Sequence, residues 1–311
     1  MSVNNVFNDY YLKVNPQEFN GKYGCSVLFD NGTSKNELKY KLTIQFTGDI
    51  ESFIYSYRIE REEKIFINNT EPNNFMDELA FEVSKVLYPM DISTSSQGKL
   101  QKVLNHIEIL DRWNKKKEKI KEFFKGDIVD KYINQTEKII KNEEALFSKI
   151  QKDWFLNIYF DSLYKFYSED LFIDESKYYY VANTSPSPIK YKAKSKIEIN
   201  EKDIRIKTKG IIHDERCARD IEHGFDSPYY KKHNKKEKAL KGSCNLVYLL
   251  EKDTAIIEGI EAEFETKFKQ PKKVLIKMFL LEKLTTKRNS MLVEKEEKTS
   301  QTGFWGKLFK K

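Results

Sequence analysis

The residues best supplied for chemistry lie together in His213-Asp214-Glu215-Arg216-Cys217-Ala218-Arg219-Asp220-Ile221-Glu222-His223. On a helix, His213 and Cys217 stand at i and i+4, with Asp220 one turn further on. That spacing turns an imidazole, a thiol and a carboxylate toward one face, donors that a tetrahedral Zn²⁺ accepts. A fourth ligand would have to come from Cys244 or His233. Cys217, His223 and Asp220 also read as a nucleophilic set, in which the imidazole takes the thiol proton and the carboxylate orients the ring. The competing reading is a charged helix with local acid–arginine pairs. The chain contains no C-x-x-C, H-E-x-x-H, Walker A, Gly-x-Gly-x-x-Gly or Gly-x-Ser-x-Gly pattern, and its 12 glycines are few for phosphate-cradling loops. No catalytic residue, metal or cofactor is assigned on this basis. A metal- or Cys-dependent enzyme centred on 213–223 stays open as an alternative.

A second constellation is electrostatic. Lys190, Lys192, Lys194 and Lys196 alternate with apolar or small residues, and so do Arg205, Lys207 and Lys209. Period two puts each set on one face of a strand. If the strands pair as a hairpin, seven positive charges share one side, a surface for an acidic protein or for phosphates. The alternative is a solvated edge whose lysines discourage pairing. No aromatic interleaves with these lysines on the same face, so base stacking is unsupported and nucleic acid is not the expected partner. A third constellation ends the sequence. After the polar stretch Glu294 to Gln301, Phe304, Trp305, Leu308 and Phe309 fall at helical spacing among lysines. Such a peptide docks into an apolar groove, makes weak contact with an anionic membrane surface, or folds back on its own domain.

Composition bounds these roles. Of 311 residues, 39% are hydrophobic and 33% charged, enough apolar surface for a substantial core. The formal net charge is +7, unevenly spread: 24 basic against 27 acidic residues over 1–170, and 31 against 21 over 171–311. The basic excess therefore belongs to the C-terminal half, where an acidic partner is expected. Three scattered cysteines make no disulfide framework. No apolar run approaches the roughly 20 residues of a spanning helix, and Met1–Phe7 lacks the basic-then-apolar pattern of a secretory signal. A cytoplasmic, reduced location is expected.

The elements that must position these groups follow from periodicity. Strands are predicted around Cys25, Val27 and Phe29, turning at Asn31-Gly32; over Leu38 to Phe46; over Phe53 to Ile59; and at Ile65–Ile67. Helical spacing takes over from Phe75 to Leu87, with Pro89 as the stop. A small hairpin is read around Gln97-Gly98. A second helix starts near His106, with Gly126 as its C-terminal cap. A third runs from Ile128 to Ile140, and Leu146, Ile150, Trp154 and Ile158 continue the period. The aromatics of this block, Trp113, Phe123, Phe124, Trp154 and Phe155, read as core. Residues 168–188, with Ser185-Pro186-Ser187-Pro188, read as a junction. Strands return over Ile189–Ile199 and Ile204–Thr208. Residues 210–240 are ambiguous, with Lys231 to Lys238 as an exposed loop. Three strands close the chain, at Cys244–Leu250, Ile260–Phe268 and Val274–Leu281.

The order of strands, helices and strands predicts an α+β fold. The divisions are an N-terminal β segment 1–70, a helical block 71–167, a basic antiparallel β segment 186–284 and a tail 285–311. The β segments form either one curved sheet or half-barrel packed on the helices, or two lobes joined by them.

One stretch carries a resemblance. Ile109-Leu110-Asp111-Arg112-Trp113 through Ile120-Lys121-Glu122-Phe123-Phe124-Lys125-Gly126, followed by Asp153-Trp154-Phe155-Leu156, resembles uncharacterised proteins of Bacteroidota-type genomes. Some of these are encoded near PAAR-like and other type VI secretion genes. The resemblance covers about a third of the chain and rests on core-type aromatics and a glycine, so it carries over no functional residue. It implies an accessory protein, an adaptor or chaperone of a secreted effector. The sequence therefore predicts a non-enzymatic interaction module whose partner meets the basic strand pair and the Phe304–Phe309 tail. The alternatives are a carrier of a lipid or apolar ligand in a half-barrel cavity and the enzyme described above. Oligomeric state is left open.

Overall fold

The computed structural model describes residues 6–48, 54–181, 187–234, 237–268 and 270–284. The strand position Phe53, the Ser185-Pro186 half of the Ser185–Pro188 punctuation and the Phe304, Trp305, Leu308 and Phe309 tail lie outside the described residues.

The chain opens with two short paired strands, β1 (Phe7–Asn8) and β2 (Tyr11–Leu12). Three long strands follow, β3 (Asn20–Asp30), β4 (Lys35–Phe46) and β5 (Ile54–Ile67). The β3–β4 turn forms where Asn31-Gly32 predicts it. Gly32 takes φ +82°, and the Asn31 side-chain oxygen accepts the Ser34 N–H at 2.7 Å. Helix α1 (Phe75–Ser84) starts at Asn74, whose side chain accepts the Asp77 N–H at 3.0 Å. The Gln97-Gly98 hairpin is present as β6 (Met90–Ser95) and β7 (Leu100–Val103).

Three amphipathic helices come next, α2 (His106–Phe123), α3 (Asp127–Lys141) and α4 (Glu143–Ile150). They bury Ile109, Trp113, Ile120, Val129, Ile133, Ile140, Leu146 and Ile150 on their shared side. Gly126 differs from its expected role. It precedes α3 as the N-cap, at φ +115°, whereas α2 already ends at Phe124. The two helices turn over a residue without a Cβ because that backbone conformation excludes other side chains.

Helix α5 is short, Trp154–Tyr159. The helical period stops there, and Phe160 to Tyr167 continue as an irregular strap. Strand β8 (Phe172–Tyr179) then occupies part of the expected junction. Strands β9 (Ile189–Ile199) and β10 (Asp203–Ile212) follow. Helices α6 (Ala218–Glu222) and α7 (Tyr229–His233) lie in the ambiguous stretch, α7 replacing part of the expected loop. Strands β11 (Gly242–Glu251), β12 (Ile257–Thr266) and β13 (Lys272–Lys283) complete the fold.

The fold is α+β. Eleven strands form a single antiparallel sheet in the order β7-β6-β5-β4-β3-β13-β12-β11-β10-β9-β8. The two β segments are thus one sheet, joined where β13 pairs with β3, Val274 opposite Phe29 and Met278 opposite Cys25. The β6–β7 hairpin extends that sheet from within the stretch expected to be helical. Among the described residues, no helix is long and apolar enough to cross a membrane.

The sheet stays open, and α5 with the strap fills the side it wraps. Trp154, Phe155, Leu156, Ile158 and Tyr159 are all buried. They touch strands from across the sheet. The Tyr159 hydroxyl donates to the Tyr23 hydroxyl at 2.9 Å, Tyr248 donates to the Ile158 carbonyl at 3.1 Å, and Trp154 tilts against Phe264 at 5.6 Å. Burying such side chains contributes about 1.5–3 kcal/mol each. The strap bonds to both ends of the sheet. Leu163 and Tyr164 donate N–H bonds to the Gln97 carbonyl beside β7. On the β8 side, Lys177 Nζ and the Tyr179 hydroxyl donate to Asp161 at 2.8 and 2.9 Å.

Candidate interaction surfaces

The 213–223 segment does not assemble for chemistry. Only Ala218–Glu222 is helical, so His213 and Cys217 do not share a helical face. Cys217 is the N-cap, and its N–H donates to Asp220 Oδ2 at 2.8 Å. Asp220 Oδ1 accepts the Tyr230 N–H at 2.6 Å, so this buried carboxylate holds backbone and orients no imidazole. His223 and His233 are exposed, and each bonds through Nδ1 to a carbonyl one turn back, Arg219 and Tyr229. Burial and Asp220 push the Cys217 thiol up, away from the thiolate a nucleophile requires. Asp214 and Arg216 form a buried bidentate pair, and Arg216 also donates to the Pro188 carbonyl at 2.8 Å. Among the described residues, no group of three or more His, Cys, Asp or Glu side chains is placed to hold a metal.

The basic strands do come together. In β9, Ile189, Tyr191, Ala193, Ser195 and Ile197 point inward and are buried, while Lys192, Lys194 and Lys196 are exposed. In β10, Ile204, Ile206 and Thr208 are buried, while Arg205 and Lys209 are exposed and Lys207 is half-buried. The register places Lys196 opposite Lys207 and Lys194 opposite Lys209. Directly opposed like charges destabilise a ladder. Glu198 relieves part of the repulsion, 2.6 Å from Lys207, and Asp203 pairs with Arg205 at 3.1 Å. Among the described residues, the ammonium groups of Lys190, Lys192, Lys194 and Lys209 form no ion pair, although the Lys190 backbone N–H donates to Asp214 at 3.2 Å.

Strand β8 changes one expectation. It lies beside β9 with Phe172 opposite Lys196 and Tyr178 opposite Lys190, so aromatics do flank the lysines on the same face. Lys194 Nζ sits 3.5 Å over the Phe172 ring. On the other side of the basic stripe, β11 presents Asn245, Val247 and Leu249, and β12 presents Glu261, Glu263 and Glu265.

The second surface is a cleft of about 690 Å³ beside α5, lined from five separate stretches of chain. Val27 and Phe29 come from β3, Leu38 and Tyr40 from β4, Trp154 from α5 and Val274 from β13. Lys149, Lys152, Lys272 and Lys273 stand around it, with Asp30 and Asp153. Both carboxylates and one lysine are engaged. Asp153 caps α5, accepting the Leu156 N–H at 3.0 Å; Asp30 lies 3.2 Å from Lys35; Lys273 lies 2.9 Å from Glu263. Burial and the neighbouring Lys149 push Lys152 below the usual lysine range, although Asp226 opposes this.

Sequence reasoning offered a ligand cavity as an alternative but assigned no residue to it. Trp154 reads as core, and it is largely buried, but its ring also walls the cleft. Lys149, Lys152 and Lys272 sit among so many lysines that nothing in composition marks them. The chain matches no protein-family model, and no curated protein matches it.

Proposed function

We propose that this protein is a non-enzymatic interaction module that holds an acidic partner protein against β9 and β10, in the manner of an adaptor or chaperone. The observation that carries this reading is the register of that hairpin, Lys196 opposite Lys207 and Lys194 opposite Lys209. A partner carboxylate seated between such pairs offsets their repulsion and gains from both charges. The flanking Phe172 and Tyr178, with Val247 on the far side, supply the apolar contact that an interface of this kind needs alongside its charge.

The test compares the full chain with a Lys196→Glu/Lys209→Glu variant, which sets a glutamate opposite a lysine in each pair, as tagged baits in the source cell. The partner held by the wild-type chain is lost from the variant and is released by raised salt. Thermal unfolding of the variant at or above the wild-type temperature shows that loss of binding is not loss of fold. Identical partner profiles for the two baits would refute the reading.

A second reading is favoured by the cleft. Its volume lies within the range of about 300–1,000 Å³ typical of small-ligand sites, and its walls are largely apolar. In this reading the protein carries an apolar ligand. A ligand mass retained in native mass spectrometry after gentle purification supports it; its absence across preparations counts against it.

A further inference from the structure

We infer that the cleft beside α5 binds a free long-chain fatty acid, the carboxylate at the lysine mouth and the acyl chain along the Val27–Trp154 wall. This deepens the carrier reading and rests on it. The cleft has two chemically distinct parts. Its wall is apolar and aromatic, made by Val27, Leu38, Tyr40, Trp154 and Val274, and Val27, Tyr40, Trp154 and Val274 are also buried in the core. Such a wall takes a chain of methylenes and offers little to a polar solute.

The mouth carries uncompensated positive charge. Among the described residues, Lys149, Lys152 and Lys272 have no carboxylate at ion-pair distance, whereas the acids of the cleft are already committed to Lys35 and to the α5 backbone. Lys152 and Lys272 rest near aromatic rings instead, 5.6 Å from the Tyr180 centroid and 4.9 Å from the Phe268 centroid. Burial and Lys149 push Lys152 down against the opposing pull of Asp226, and a ligand anion beside it would add to that pull. A neutral apolar ligand would leave that charge unanswered. A free inorganic anion would leave the apolar wall wet. One anionic head on a single flexible chain answers both, and the cleft has room for one such chain.

The test uses laurate and 1-dodecanol, the same chain with and without the charge, measured by calorimetry on the full-length protein below micelle-forming concentrations. Laurate binds with one site per chain. A Lys149→Ala/Lys152→Ala/Lys272→Ala variant weakens laurate by tenfold or more and shifts dodecanol by less than twofold. Quenching of tryptophan fluorescence by 12-bromododecanoate locates the chain, and Trp154→Phe removes the quenched component. Equal binding of laurate and dodecanol, insensitive to the lysines, would overturn the head-group assignment and leave an apolar carrier. No binding of either would overturn both. Quenching that survives Trp154→Phe would place the site elsewhere and overturn this one.

Discussion

The hairpins β9–β10 and β12–β13 stand on either side of β11, and both turn a row of charged residues outward, yet they manage their charges in opposite ways. On the outer face of β12–β13, unlike charges meet: Glu261 faces Lys277 and Glu265 faces Lys273, and Lys273 reaches Glu263 at 2.9 Å. On β9–β10, lysine faces lysine twice. The inner faces differ as well. Between β12 and β13 the interior is apolar, with Ala262 opposite Ile276 and Phe264 opposite Val274. Between β9 and β10, Ser195 and Thr208 share a buried hydrogen bond of 2.8 Å. Ser195 also donates to Glu175, which accepts both Oε bonds from Lys165. Alternation decides which side of a strand is wet. Whether that side is finished or left open to a partner depends on what the register sets opposite each charge.

The largest effects lie on the inner faces. Phe264→Ala removes a fully buried ring from the β12 side and is expected to cost about 3–5 kcal/mol in denaturant unfolding. Asp161→Asn takes from buried Lys177 its 2.8 Å partner and leaves only Glu175, 3.6 Å away and shared with Lys165, and is expected to cost about 3 kcal/mol. The two losses differ in pH dependence. Burial pushes Asp161 up, but the charge and hydrogen bond of Lys177 prevail and hold it below the usual carboxylate range. A depressed carboxylate contributes stability that is fully present above its unfolded value of about 3.9 and is lost as pH falls through the lower folded value. Hydrogen exchange below about pH 4 should therefore loosen β8–β10 before β12–β13. Simultaneous loss of protection in both would erase the distinction between the inner faces.

Smaller effects test the outer faces. Lys209→Glu creates an unlike pair with Lys194 and should stabilise the fold by roughly 0.2–1 kcal/mol, whereas Glu261→Lys sets a lysine opposite Lys277 and should destabilise it by about as much. The same sign for both would mean that register does not govern these charges. The smallest effect is salt. Raising ionic strength should stabilise the wild-type chain slightly by screening its lysine pairs, and the Lys209→Glu variant less.

Much of the fold is legible because local rules act alone. Burial alternates over 189–197 as the sequence period requires, with Ser195 as the polar inward residue, and the period ends at the exposed Ile199. Asn31-Gly32 and Gln97-Gly98 make their turns from side-chain bonding and positive φ. Strand β8 was hidden for a physical reason. Its inward residues include Glu175 and Lys177, which period-two reading assigns to solvent, and only the partners Lys165 and Asp161 on the strap make those positions interior. The candidate chemistry of 213–223 failed for a related reason: Asp220 is taken by the N–H groups of Cys217 and Tyr230, one of them from a helix in the stretch that the sequence leaves ambiguous.

The sequence by itself determined the α+β class, the existence of the basic strands and the face each lysine occupies, because those follow from side-chain period over neighbouring residues. Only the tertiary structure decided that β13 joins β3, that lysine stands opposite lysine, and that Lys149, Lys152 and Lys272 meet around Trp154. These depend on contacts between segments far apart in the chain. Composition and periodicity carry no record of distance across the fold, so register and cleft appear only when the open sheet has assembled against α5.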